Sequence, residues 1–318
     1  MKLKPALRSA CLVLGAGFIL FFFSERVFWS FLREGDGFAD LAAGWLVYCV
    51  FAYLLLAVAR LFRIGTVCGL VLAGAFFGWL DEGVYAMTLY GDPSMPFPLT
   101  IAWTGLAWHG SLSVVMGLFG LRRCLLAASL WPVAGAAAAI GAFWGFWASG
   151  WSQETPPVVA DAMDFLLHAV FATMGLALAQ WAIDCGDARG FAPSRTGLGL
   201  AGGLALLFFA GITVPAIPWA PAVLLPLFAL LFFALWRNRA GPGEDALAAI
   251  AGPVRLRNLA GLAIIPAAAT GTYVLLGIAG RGLPAHQIVA AIASLCGTAS
   301  LLVALAGHFR PRARQARL

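Results

Sequence analysis

Apolar residues run along this chain in blocks about twenty long, separated by short clusters of charge, Gly and Pro. Roughly 20 apolar residues are what a helix needs to cross the ~30 Å hydrocarbon core of a bilayer. In hydrocarbon every backbone amide must find an internal partner, so only helices or closed barrels can span. These blocks are too long and too continuous for barrel strands, so the pattern predicts helices. Ten are expected, at about 6–31, 41–59, 64–90, 98–121, 125–149, 158–183, 196–217, 219–236, 258–279 and 287–307. The fold class is therefore all-α: a polytopic membrane bundle with neighbouring spans antiparallel. The longest connection, 237–257, is expected to hold a short helix from Glu244 to Ala251.

Charge orients the bundle. With the N-terminus inside, seventeen Lys and Arg fall on one side, and only Arg26, Arg33 and Arg281 fall on the other. That is the positive-inside pattern, and it predicts both termini in the cytoplasm of a bacterial-type inner membrane. Met1 to Arg8 followed by an apolar run resembles a signal sequence, but no small-x-small site follows, so an uncleaved first span is expected. Composition agrees: 62% of residues are hydrophobic and 11% charged, with a mean hydropathy of +0.91. The net charge of +6 reflects the basic loops and is not read as nucleic-acid affinity. The tail from Arg310 to Arg317 is expected to touch anionic inner-leaflet lipid.

The acids run the other way. Ten of the fourteen lie on the outer side, a skew that topology does not require. Spans one to six, residues 1–185, carry all ten, along with ten of the twelve Trp. Residues 186–318 are Leu/Ala/Gly-rich and read as scaffold or as a surface for a partner protein. Two rows of small residues, Gly135/Gly141/Gly145 and Gly197/Gly199/Gly202/Gly203, are expected to let helices approach closely. No motif supports an inverted repeat between the halves.

Four places carry candidate chemistry. Glu25, in Ser24-Glu25-Arg26, is a solvated interfacial acid if the first helix starts near Ala6, and needs a partner in hydrocarbon if it starts near Cys11. In Trp79-Leu-Asp81-Glu82, adjacent acids point about 100° apart, so at least one must face the bundle interior. There Glu82 could carry a proton. The alternative is an interfacial acid pair. His109 lies near the middle of span four beside Trp108, and is either a proton carrier or ligand or a structural bond between helices. Asp161, Asp164 and His168 fall at i, i+3 and i+7, with Asp164 placed to orient His168. The competing reading makes the two acids a helix N-cap. Trp144, Trp147, Trp151 and Glu154 form an outer rim.

Glu82, His109, Asp164 and His168 are thus the expected proton-transfer or substrate-binding residues, supported by Glu25, Asp81, Trp79, Trp108, Glu154 and Asp161. The sequence leaves cofactor and metal open: Asp164 and His168, one turn apart, could form a carboxylate/His metal site with His109 and Glu82, though no ligand motif such as H-E-x-x-H is present. Soluble-enzyme signatures are missing, as are the glutamate and histidine pattern of intramembrane CAAX proteases and the rhomboid serine–histidine pair. Three functions fit: a proton-coupled transporter of a small solute, which leads; an intramembrane enzyme acting on a lipid or lipid-linked group at the outer leaflet; and a non-catalytic membrane subunit.

Overall fold

A computed structural model describes residues 4–32, 36–92, 95–237, 245–278 and 283–307. Expectations that rest on Lys2, Arg33, Glu34, Arg239, Glu244, Arg281 and the Arg310–Arg317 tail lie outside the described residues. Ten helices are long and apolar enough to cross a membrane, which fits a many-pass integral membrane protein. They are α1 Pro5–Trp29, α2 Phe38–Leu61, α3 Val67–Tyr85, α4 Leu99–Leu126, α5 Trp131–Gln153, α6 Ala162–Cys185, α7 Arg195–Ala216, α8 Ala220–Arg237, α9 Leu256–Ile278 and α10 Ala285–Ala306. Among the described residues there is no β-strand. The short helix in the α8–α9 connection runs over Ala246–Ala249, inside the expected stretch.

Local chemistry sets the helix ends. Pro5 opens α1, where its missing N–H costs nothing. Thr66, Asp161 and Ser194 have extended backbones, and their side chains accept from the first-turn N–H groups of α3, α6 and α7. Asp161 takes bonds from Met163 N at 2.7 Å and Asp164 N at 2.8 Å. It is a helix cap, the simpler of the two readings its position allowed.

Close packing draws on a different set of glycines from the second row expected. A Cβ on Gly199, Gly202 or Gly203 would meet nothing within 4 Å among the described residues, whereas one on Gly197 would lie 2.2 Å from Tyr53 Oη, so only the first member of that row marks a close approach. Gly141 and Gly145 do meet the backbone of α9, as expected of the first row, while Gly135 faces open space. The tightest approach joins α3 to α4. A Cβ on Gly78 would lie 1.8 Å from Gly105 O, and one on Gly74 would lie 2.6 Å from Gly110 O. Two backbones touch there with no side chain between them, which only glycine permits.

Three helices contain segments of i→i+5 hydrogen bonding in place of i→i+4: Phe22–Arg26 in α1, Asp81–Tyr85 in α3 and Ala102–Leu121 in α4. Ala86 N, for example, bonds Asp81 O at 3.0 Å. Such segments are rare and concentrate at functional sites. A fourth, Phe209–Thr213 in α7, docks on α3 through Thr213 Oγ1, which donates to Val84 O at 2.9 Å.

The end of the bundle rich in Arg is closed by two ion pairs, one of them built on a fully buried arginine. Arg122, counted in the sequence as a loop base, is fully buried. Its guanidinium donates to the carbonyls of Ile250 at 3.0 Å, Gln180 at 3.0 Å and Gly252 at 2.7 Å, to Gln180 Oε1, and to Asp184. Asp184 also accepts from Val254 N. Arg60 similarly ties Asp245 to the carbonyls of Ala188, Arg189 and Phe191. A charge is tolerated in such a place only with this density of partners.

Candidate functional site

The opposite end, rich in Trp and acid, holds an open cavity of about 800 Å³. Its floor belongs to a cluster of polar side chains from four helices. Ser24 and Glu25 from α1, Asp81 and Glu82 from α3 and His109 from α4 line the cavity, and Tyr48 from α2 and Ser113 from α4 bond to them from outside its lining. Apart from Tyr48, every one of these sits in an i→i+5 segment. Both α3 acids are buried, where sequence periodicity required only one to face inward.

His109 is the hub. Its Nε2 lies 2.6 Å from Glu82 Oε1, and its Nδ1 lies 2.8 Å from Ser24 Oγ and 3.3 Å from Asp81 Oδ2. In the neutral tautomer with the proton on Nε2, facing Glu82, the Nδ1 lone pair faces the Ser24 hydroxyl; that state requires Asp81, also beside Nδ1, to be protonated or to bond Tyr48 instead. Ser24 Oγ is also 2.9 Å from Ser113 Oγ. When Ser113 donates to Ser24, the Ser24 proton is directed at the imidazole.

A second strand of the network leads away from His109. Tyr48 lies 2.6 Å from Glu25 Oε1 and 2.8 Å from Asp81 Oδ2. It has one proton for two carboxyl groups, so both contacts are hydrogen bonds only when Glu25 or Asp81 also carries one. Trp29 Nε1 donates to the other Glu25 oxygen at 2.8 Å. Asp81 Oδ1 and Glu82 Oε2 are buried without a hydrogen-bond partner among the described residues. Both residues line the cavity, where unused acceptors mark a candidate for binding or proton transfer. Asp81, Glu82 and His109 each offer a ligand atom, all within 4.8 Å of one another, so the group could also hold a metal ion.

Aromatic side chains wall the cavity. Trp29, Trp103, Trp147 and Trp151 line it, with Phe28 packed 4.9 Å from Trp108 and 5.3 Å from Trp147. At the mouth His286, from α10, lies 3.0 Å from Glu154 and rests against Trp147 at 4.1 Å between ring centroids. Outside the spans, Tyr90 donates to Gly83 O at 2.8 Å, and burial pushes its phenol up from its ordinary value.

Of the residues expected from sequence, the structure brings Glu25, Asp81, Glu82, His109 and Glu154 to this cavity. Trp79 is fully buried and donates to Ile101 O at 3.0 Å, and Trp108 donates to Phe23 O at 3.0 Å. Both hold the wall. Asp164 is exposed and His168 is buried beside Trp144, 5.9 Å between rings; neither lines the cavity. No hydrogen bond joins Asp164 to His168 among the described residues. Ser24 as His109's partner, Tyr48 and His286 escaped the sequence reading. Only Tyr48 had a signal, and a shared one: it is one of two hydroxyls, with Tyr53, in the apolar run 45–59.

Compared with known protein families, with curated proteins and with solved structures, the chain matches none of them. Its function is argued from the site alone.

Proposed function

We propose that this protein is an intramembrane serine hydrolase or acyltransferase whose site opens to the exoplasmic side. Ser24 is the nucleophile, His109 its base and Glu82 the group that orients the base. One observation carries this reading: a hydroxyl, an imidazole and a carboxylate in hydrogen-bonded series, 2.8 Å and 2.6 Å apart, at the floor of an open cavity. A nucleophile within reach of a base that a third group orients is the general signature of an activated serine. The positive-inside count supports the orientation, with both termini cytoplasmic in a bacterial-type inner membrane.

In the forward step Ser24 Oγ attacks the carbonyl carbon of an ester and its proton passes to His109 Nδ1. The carbon–oxygen bond to the leaving group breaks, and His109 returns the proton to the departing alcohol. Water from the cavity mouth, or an acceptor alcohol, then gives its proton to His109 and attacks the acyl-serine. The new acid or ester leaves and Ser24 recovers its hydrogen. Glu82 stabilises the imidazolium in both halves. Thr104, which lines the cavity with its hydroxyl unpartnered among the described residues, is a neutral donor available to the developing oxyanion.

The test is covalent. A small fluorophosphonate added to the purified protein should modify Ser24 alone, read by peptide mass. Ser24→Ala should abolish the adduct, and His109→Ala should slow it by about 10²-fold or more. A folded wild-type protein that takes no adduct at Ser24 would overturn the assignment.

A second reading, proton-coupled transport, is favoured by the chain of exchangeable groups Glu25–Tyr48–Asp81–His109–Glu82 across four helices. It requires a state open toward the Arg122 end. Solute-dependent reaction of a cysteine placed at Gln180 with a membrane-impermeant thiol reagent from the cytoplasmic side would establish that state.

A further inference from the structure

Beside the polar cavity lies a second one of about 650 Å³, between α4, α5 and α10. Among the described residues no charged side chain lines it, and the polar ones are Ser111, Cys124 and Cys296. Its rim includes Met116, 59% exposed, together with the exposed Ala139 and Cys296. It therefore opens sideways through the wall of the bundle rather than at either end. In a membrane span, the surroundings on that side are hydrocarbon.

Three helices carry both this groove and the site, one on each side of a shared wall. On α1, Ser24 and Phe28 face the cavity while the residue before each, Phe23 and Val27, lines the groove. On α4, His109 faces the cavity and Trp108 the groove. On α10, His286 and Ala290 line the cavity, and Val289, Ala293 and Cys296 the groove. The partition is one layer thick: Phe28, Trp108 and Trp147, with Trp108 and Trp147 4.7 Å apart. From Ala107 to Cys124 the groove follows α4 for at most about 25 Å at 1.5 Å per residue, most of the ~30 Å hydrocarbon thickness.

We infer that the substrate is a single-chain membrane amphiphile, whose ester enters the polar cavity at Ser24 while its long acyl or isoprenoid chain lies in the α4–α5–α10 groove. This rests on the serine-hydrolase reading and adds the substrate class. A polar pocket with an uncharged lateral groove one aromatic layer away matches the two ends of an amphiphile. A soluble ester would use the cavity and leave the groove without a role. Transfer of the chain from bilayer to groove keeps it in hydrocarbon, so selectivity comes from chain length and shape rather than from hydrophobicity alone.

The experiment uses the full chain in lipid nanodiscs with two probes. One is a palmitoyl-chain fluorophosphonate carrying a diazirine near the chain terminus. The other is a photoactivatable palmitoyl lysolipid without a reactive phosphorus. Light should attach both to α4, α5 and α10 around Met116, Ala139 and Cys296. Ala139→Trp, which fills the groove from its exposed side, should lower both crosslinks and slow Ser24 modification by the long-chain probe at least tenfold. Modification by a short-chain fluorophosphonate should stay unchanged, and Ala293→Phe should reproduce the pattern. Crosslinks to α7 and α8, or spread evenly over the lipid-facing surface, would overturn the groove and leave the serine assignment standing. So would a copurifying polypeptide crosslinked at Ala139, or equal slowing of short and long probes. Groove crosslinks from the lysolipid without any Ser24 adduct would uphold the chain site and sink the hydrolase.

Discussion

The two ends of this bundle each bury a charged cluster, and the clusters are built on opposite principles. At the basic end the Arg122 guanidinium meets three carbonyls, an amide oxygen and a carboxylate, and Asp184 takes a further backbone N–H. At the other end Asp81 and Glu82 each keep a buried oxygen without a partner among the described residues, and an open cavity reaches them. In one cluster the charged groups are bonded throughout, although the Gln180 Nε2 beside them has no hydrogen-bond partner among the described residues; in the other the acids themselves keep unused oxygens and a cavity reaches them. Burial of charge alone says nothing about function. What separates the two clusters is whether the charged groups keep bonding capacity that a cavity can reach.

Substitutions can break that contrast. Arg122→Met should have the largest effect on folding, about 3–5 kcal/mol, because it strands Asp184 and three carbonyls in a dry interior. Thermal unfolding in detergent should show a large fall, and a Tm near wild type would refute the structural role. Glu82→Gln should do the reverse: fluorophosphonate modification of Ser24 slowed by about 10²–10⁴-fold with the Tm held or raised, since the substitution removes a buried, half-paired charge. Parallel loss of stability and reactivity would merge the two kinds of cluster.

Gly78→Ala tests the framework joining them. Its Cβ would meet Gly105 O at 1.8 Å, so α3 and α4 must separate, at about 1–3 kcal/mol. Reactivity should fall with stability in that variant alone. Glu154→Gln at the mouth should be the mildest, within about 0.5 kcal/mol in stability. It should speed or slow entry of a charged probe without touching the reaction of a bound one, which burst kinetics would separate.

The sequence carried the ten helices because hydropathy over twenty residues is a local property; most ends fall within a few residues of their expected place, and the largest departures, at the end of α3, the end of α4 and the start of α5, are five or six residues. It carried Asp81, Glu82 and His109 because an ionisable group deep in an apolar run stands out unaided. Ser24 did not stand out: a serine near a helix end is ordinary, and its role arises from a contact 85 residues away. Arg122 misled for the same reason. Its neighbours Arg123 and Leu121 make it look like loop charge, and its burial depends on the α6 terminus and the loop at 250–254. The i→i+5 segments left no pattern to read, because they reflect packing between helices rather than composition.

The contact between Gly78 and Gly105 has a further consequence, for how the protein is made. It lies within one hairpin, α3–α4, and every member of the serine–histidine–carboxylate series precedes residue 110. Domains and hairpins form in the order the chain emerges. The reactive group can therefore be assembled by the first four spans while the ribosome is still synthesising the rest. The groove's far wall and His286 belong to α10 and emerge after them. A nascent chain thus acquires the proposed reactive serine first and the means to hold a long-chain substrate only once α10 has followed.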